Sequence, residues 1–487
     1  MKTKDLHASI FAGLRWLSIV PLVAKSISFV TTFVLMKLLT PDDFGIVALC
    51  FVFIGILRMF SDLNLGQAII VLDEDFSRLS ASAFTIVFVL DILIFCLLAG
   101  GAYPIALYYD NDALVSVMII LSLTLVMESL SVVPKAIMQK ELRFAYLALP
   151  ELVASVTFSI VAVTLALRGF SYWSLVIANV SSTFVVMGCS FLLSRWRPRF
   201  AYDKIAARKL LDFAKDLLGA GVASAFFYNI DKAVIGKMMD VEQVGIYSIA
   251  SRIGNFFIVS VGYNISRVLY PVFARMKSEG QSLASAYLFT FKYWVTVSFW
   301  SFLFLFITAD PFQRVLYQSK WEAAVVPIKI LAAYGSFRCV SATNGDLFKV
   351  LLRPNLVRNF WTAKAIMVGV LVIPICKYWG LIGVCTLFTT AFFLSWAYEC
   401  VIICRLLVIP IFHLWRSIRW GTVSLLACLM LGELTGRSIE NDTQVLAINL
   451  VISLVAFPTL FFVLEPNALS DAVGMFRMTR RRTPPLQ

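Results

Sequence analysis

Residues 35–46 read LMKLLTPDDFGI, and residues 235–246 read IGKMMDVEQVGI. Aligned at an offset of 200, Lys37 falls on Lys237, Gly45 on Gly245 and Ile46 on Ile246, while Asp42 faces Glu242. Both stretches are short polar corners between long apolar runs. In the first, Thr40 is placed to cap the next helix, with Pro41 at its first position and Asp43 three residues on. In the second, Asp240 takes the cap and Gln243 the third position. Residue types change while roles hold. Gly45 and Gly245 fall just past the first turn, where a missing side chain lets helices approach closely. A second match, Ala81-Ser82-Ala83-Phe84 against Ala284-Ser285-Ala286-Tyr287, keeps nearly the same offset.

The chain has 487 residues, 60% of them hydrophobic, and a mean hydropathy of +0.86. Soluble domains are about 45–50% apolar. A helix needs about 20 apolar residues to cross a bilayer, and such runs recur along the whole sequence. The pattern predicts an all-α membrane protein of about fourteen spans, near 15–38, 44–66, 81–106, 113–134, 149–167, 171–193, 213–234, 244–269, 284–308, 324–347, 357–376, 380–404, 416–434 and 446–465. The first run, about 16–39, is too long for a signal-peptide core and lacks a small-residue cleavage site, so it reads as the first span.

Loop charge gives the orientation. With the N-terminus cytoplasmic, cytoplasmic segments carry about 26 Lys and Arg and outer segments about six. The stretch SRWRPRFAYDKIAARKLLDFAK (194–215) alone holds seven. Both ends are therefore expected inside, and the net +13 is a topology signal, with no nucleic-acid partner implied. The nine cysteines nearly all lie in apolar runs, none forms a C-x-x-C, and only His7 and His413 are present, so no metal site is expected.

The two matches sit at equivalent places in the span count, six spans apart. An even number of spans brings the second copy in with the same orientation, a parallel repeat about an axis along the membrane normal. The expected organisation is an N-terminal six-helix lobe at 1–200, a second at 201–410, and two extra spans with a basic tail at 411–487.

Repeated helical bundles of this kind are typical of transporters, with the binding site at the repeat interface. Ionisable groups at bilayer depth usually face a cavity or a partner. At about 1.5 Å per residue, Lys25, Asp91, Arg252 and Lys292 fall nearest mid-membrane. Arg58, Asp62, Glu128 and Arg267 fall toward the cytoplasm, and Asp231 toward the outer end of its span. Arg338 and Lys364 are further candidates, and Glu399 reads as reaching the interface. The central set is net basic. Lys and Arg suit phosphate or diphosphate, so Lys25, Arg58, Arg252, Arg267, Lys292 and Arg338 are candidate ligands. Asp62, Asp91, Glu128 and Asp231 are candidate coupling or structural acids. Every outer loop is short, which disfavours a membrane polymerase or ligase carrying catalytic residues there, and the basic set disfavours an exporter of cationic drugs.

KLLTPDDFGI, SDLNLGQAII (61–70) and ISRVLYPVFARM (265–276) resemble the polysaccharide transporters of the multidrug/oligosaccharidyl-lipid/polysaccharide (MOP) superfamily, nearest to Wzx-type, colanic-acid-like exporters. Asn64 departs from the glycine expected in D-L-G-L-G. The resemblance covers about 1–465. It implies a MATE-like fold with a V-shaped cavity between lobes and no catalytic residues. It also implies movement of an undecaprenyl-diphosphate-linked oligosaccharide across the bacterial inner membrane, with H+ or Na+ as candidate coupling ions and a polysaccharide polymerase and export machinery as candidate partners. The related lipid II flippase uses basic residues in spans one, two and eight, where Lys25, Arg58 and Arg252 stand here.

Overall fold

A computed structural model of the chain describes residues 3–62, 65–71, 75–256, 263–317 and 319–466. Every regular element among them is a helix. They are α1 (Thr3–Leu38), α2 (Pro41–Asp62), α3 (Leu65–Val71), α4 (Phe76–Tyr109), α5 (Ala113–Lys140), α6 (Phe144–Leu167), α7 (Trp173–Ser194), α8 (Lys204–Phe227), α9 (Ile230–Met238), α10 (Val241–Gly254), α11 (Tyr263–Ser278), α12 (Leu283–Tyr317), α13 (Val325–Val350), α14 (Pro354–Leu406), α15 (Ile411–Ser438), α16 (Asp442–Val451) and α17 (Phe457–Leu464).

Eleven helical segments among the described residues are long and apolar enough to cross a membrane. Fourteen were expected, and the difference has two sources. The segment Pro354–Leu406 counts once, yet Gly380 inside it has φ 57° and ψ −148°. That backbone conformation is essentially reserved for glycine, and it breaks α14 where the sequence divides spans at 357–376 and 380–404. The stretch expected to hold spans seven and eight contains the helices α8 to α11, with a break between α8 and α9 near Asn229, Asp231 and Lys232, and residues 257–262 of it lie outside the described residues.

The described residues group into two compact units. The first comprises Met1–Phe256 and Asn355–Phe388, the second Phe257–Pro354 and Thr389–Gln487. These are divisions by packing, whereas the lobes expected at 1–200 and 201–410 are divisions by internal repetition.

In the first unit the two repeated corners fold as the sequence implies. Thr40 and Asp43 form a reciprocal cap at the start of α2. The Thr40 backbone N–H donates to the Asp43 carboxylate at 2.8 Å, and the Asp43 N–H donates to Thr40 Oγ1 at 3.4 Å. At α10, Asp240 accepts from the Gln243 N–H at 2.7 Å. Each cap satisfies donors that a helix start leaves orphaned.

The two corners also meet. A Cβ added at Gly45 would lie 1.9 Å from the Val241 carbonyl oxygen, and one added at Gly245 would lie 1.9 Å from the Pro41 carbonyl oxygen. Pro41 and Val241 are themselves partners at the offset of 200. The contact is therefore reciprocal, in the manner of an isologous two-fold interface. Backbone packs on backbone there, and only glycine at both places permits it.

Elsewhere in this unit α3, α4, α5 and α8 enclose a core around Leu65, Ile69, Phe84, Val87, Val133 and Leu210. In the second unit α15, α16 and α17 pack on α12 through Leu303, Ile307, Cys428, Ile452 and Phe457. Asn449 fixes that join by donating to the Ile307 carbonyl at 2.7 Å. Large exposed apolar side chains such as Leu97, Ile160, Val370 and Met430 are what a lipid-facing surface requires.

Candidate functional site

Two adjoining cavities open in the first unit. One, of about 360 Å³, is lined from five helices. Ser28 comes from α1, Phe44, Val47 and Phe51 from α2, Ser155 and Phe158 from α6, Asn179 and Ser182 from α7, and Ser248 and Arg252 from α10. Ser248 and Arg252 share a face because four residues make about one helical turn. Arg252 is exposed to this space and, among the described residues, is the only ionisable side chain in its lining.

The hydroxyls around Arg252 are oriented by their own helices. Ser28 donates to the Ala24 carbonyl at 3.1 Å, Ser155 to Leu152 at 2.8 Å and Ser182 to Asn179 at 2.9 Å. Each hydroxyl has one proton and two lone pairs, so what remains for a ligand is acceptor capacity. Ser248 Oγ is buried with no hydrogen-bond partner among the described residues. The lining thus offers one delocalised cation, acceptors for O–H donors, and the aromatic faces of Phe44, Phe51 and Phe158. That combination fits a ligand with an anionic head and hydroxyl-rich, partly apolar rings.

The second cavity, of about 390 Å³, shares Ser182 with the first. Its charged lining is Arg58 from α2, Asp91 from α4, and Glu128 and Lys135 from α5, with Gln67 and Gln139 beside them. Arg58 Nη2 lies 2.8 Å from the Glu128 carboxylate. Asp91 is fully buried. Among the described residues this space is lined by acids as well as cations, in contrast to the Arg252 cavity.

The structure thus gathers four sequence candidates, Arg252, Arg58, Asp91 and Glu128, into neighbouring spaces. Lys25 is half-buried on α1, one turn before Ser28. Asp231, buried at the start of α9, accepts from Tyr247 Oη at 2.7 Å and from the Lys232 N–H at 2.8 Å. Lys364 is buried 4.4 Å from the Trp361 ring. Lys292 and Arg338 belong to the second unit. Lys292 pairs with Glu465 at 2.7 Å, and the Arg338 guanidinium lies 6.0 Å from the Tyr334 ring. The side chains of Asp62 and Arg267 lie outside the described residues.

Glu399 departs from its expected place at the interface. It is only 3% exposed, and its carboxylate accepts from Ser341 at 2.6 and 2.7 Å, Ser395 at 2.9 Å and Asn344 at 3.2 Å. Three neutral donor residues replace the water that a surface carboxylate would have. Ser395 stands four residues before Glu399 on one helix face, a spacing that marks this group in the sequence. Ser248, at the same spacing before Arg252, and Asn179, three residues before Ser182, were equally readable.

Comparisons with known proteins place the chain in a family. A family model for polysaccharide biosynthesis proteins matches residues 34–326, more than half of the chain. The chain belongs to that family. This polysaccharide biosynthesis protein is 24% identical over 370 residues to the Teichuronic acid biosynthesis protein TuaB of Bacillus subtilis, covering 74% of this chain and 75% of that one. It is 24% identical over 307 residues to the Succinoglycan biosynthesis transport protein ExoT of Rhizobium meliloti, covering 63% and 62% respectively. Its fold is similar to that of Lipid II flippase MurJ in an inward closed conformation, with a TM-score of 0.73 and 14% identity over 93% of this chain and 99% of that one. A multidrug resistance MATE family transporter of the MOP superfamily, inward-facing, gives a TM-score of 0.60 at 14% identity over 81% and 98%. At these identities the last two likenesses are of fold. The protein is a multi-pass helical membrane protein whose fold is like theirs.

Proposed function

We propose that this protein moves a polyprenyl-diphosphate-linked oligosaccharide from the cytoplasmic to the outer leaflet of a bacterial inner membrane, supplying repeat units for polysaccharide assembly. The observation that carries this reading is the Arg252 cavity, where a lone guanidinium stands among hydroxyl acceptors and aromatic rings. A guanidinium grips phosphate oxygens with paired hydrogen bonds, and serine lone pairs accept from sugar hydroxyls. Membership of the polysaccharide biosynthesis family supports it, as do the transport named for ExoT and the MurJ-like fold.

Both termini are cytoplasmic in this reading, in keeping with the distribution of Lys and Arg between loops. The Gly45–Gly245 crossing then closes the outer side. Alternating access opens it while the cytoplasmic side closes, with a lobe at 1–200 moving against one at 201–410. The polyprenyl tail stays in lipid. H+ or Na+ supplies the drive, and a polysaccharide polymerase and export machinery take the product onward.

Cells without the protein, and without a redundant flippase, should accumulate the diphosphate-linked oligosaccharide in the inner leaflet. Arg252→Ala should fail to restore export at normal expression, and Arg252→Lys, which keeps the charge but loses the paired geometry, should restore it in part. Normal export by the deleted strain would refute the reading. The MATE fold likeness raises a drug exporter as the rival. Cationic drugs call for an acidic or aromatic cavity, and a lone arginine repels them.

A further inference from the structure

The Arg58–Glu128 pair raises a question that the Arg252 cavity does not. Its two charges are 2.8 Å apart, yet their side chains remain 57% and 33% exposed. They line a polar cavity of about 390 Å³ that shares Ser182 with the Arg252 cavity. An ion pair that serves only to tie α2 to α5 is best shielded from ligands. This one stands in the wall of a space large enough to hold them.

We propose that Glu128 is an internal competitor for the anion that binds Arg58, holding the guanidinium when the cavity is empty and yielding it to a phosphate oxygen when ligand arrives. The inference rests on the diphosphate reading given above and adds a specificity residue to it. Its logic is exchange. A planar guanidinium presents its donors in a fork that fits a carboxylate or a phosphate equally well. With Glu128 in place the Arg58 charge is already matched at 2.8 Å. A weak monovalent anion gains little by displacing a tethered carboxylate. A diphosphate brings a second phosphate, and Lys135 in the same wall offers it a second cation. The tethered acid also limits how tightly the diphosphate is held. When the site opens to the far side, Glu128 returns to Arg58 and the ligand leaves without a large barrier.

The exchange predicts an affinity and a turnover that move in opposite directions. Farnesyl diphosphate serves as probe, titrated into the purified full-length protein in detergent. Glu128→Gln should bind it about two- to fivefold more tightly, the worth of an exposed ion pair. Export in cells carrying Glu128→Gln should fall, because release slows. Arg58→Ala should weaken binding, and in that background Glu128→Gln should change nothing. Should Glu128→Gln fold poorly, Glu128→Asp withdraws the carboxylate by one methylene and should tighten binding in the same direction. No gain in affinity from either substitution, or a gain that persists without Arg58, overturns the proposal. Arg252→Ala separates the two readings. Unchanged affinity there counts against the proposed function itself, whereas lost affinity there with no gain at Glu128 overturns the exchange alone.

Discussion

Replacing Gly45 by alanine puts a methyl group where there is no room for one. The new Cβ would lie 1.9 Å from the Val241 carbonyl oxygen, and 2.8 Å from both its carbonyl carbon and Cγ1. Carbon and oxygen rest no closer than about 3.3 Å even in weak C–H···O contacts, so α2 and α10 must part by about 1.4 Å there. The obstacle is backbone and cannot swing aside. Overpacking of this kind costs about 1–3 kcal/mol, while alanine's better helix propensity returns up to about 1 kcal/mol. The net is a loss of up to about 2 kcal/mol after the full propensity gain. Thermal unfolding of the purified protein in detergent measures this, with Gly100→Ala on α4 as the control. A Cβ at Gly100 meets nothing within 4 Å, so that variant should gain about 0.5–1 kcal/mol. Gly245→Ala should cost about as much as Gly45→Ala, since its Cβ meets the Pro41 oxygen at the same 1.9 Å. The double variant should cost less than the sum, because the first methyl already wedges the gap that the second needs. If Gly45→Ala were as stable as Gly100→Ala, the close crossing would be refuted.

Further outcomes follow from other contacts. Asp43 is buried and takes hydrogen bonds from the Thr40 N–H and Thr40 Oγ1, both at 2.8 Å, and from the Ser171 hydroxyl. Asp43→Ala should lower stability by about 1–3 kcal/mol, since buried donors lose their acceptor, and Asp43→Asn should recover part of that in the same melt. Asp203, at the start of α8, is held below the usual carboxylate range chiefly by the Ala206 and Ile205 backbone N–H groups. Its contribution is present above the unfolded-state pKa and is lost as pH falls through the lower, folded-state value. Hydrogen-exchange protection of the Ala206 amide should therefore drop at acid pH, and that pH dependence should vanish in Asp203→Asn. Gly380→Val should destabilise the protein by about 1–3 kcal/mol, the cost of forcing a branched residue into a glycine-only conformation, visible in the same unfolding assay.

What the sequence disclosed was local. The Thr40 and Asp240 caps, the span boundary between 376 and 380 and the apolar helices each depend on neighbours close in the chain, and each was readable before any fold was known. The Arg252 cavity was readable only in part. Depth along span eight marks Arg252, but Ser28, Ser155 and Asn179 come from three other helices, and nothing in a single run of residues says which helices meet. Arg58 and Glu128 were both picked out as charges at depth, yet their pairing joins α2 to α5 across a separation that periodicity does not reach. Glu399 went astray for the same reason. A carboxylate near the end of a span reads as surface-bound until Ser341 and Asn344, on another helix, are seen to donate to it. Span seven was harder to bound than the others because Asp231 and Lys232 interrupt the apolar signal that length rules rely on.

The crossing at Gly45 and Gly245 also limits how the two halves of this chain can diverge. Around it the residues differ freely. Thr40 stands opposite Asp240, Pro41 opposite Val241, Phe44 opposite Val244, and each pair fills its role with different chemistry. At the glycines no such trade is open, because any side chain added to one half strikes the main chain of the other. A substitution there has no compensating partner elsewhere, since a backbone carbonyl cannot be made smaller. The two halves are therefore free to specialise in the residues that face the cavities, and are bound to a common past where Gly45 and Gly245 bring main chain against main chain.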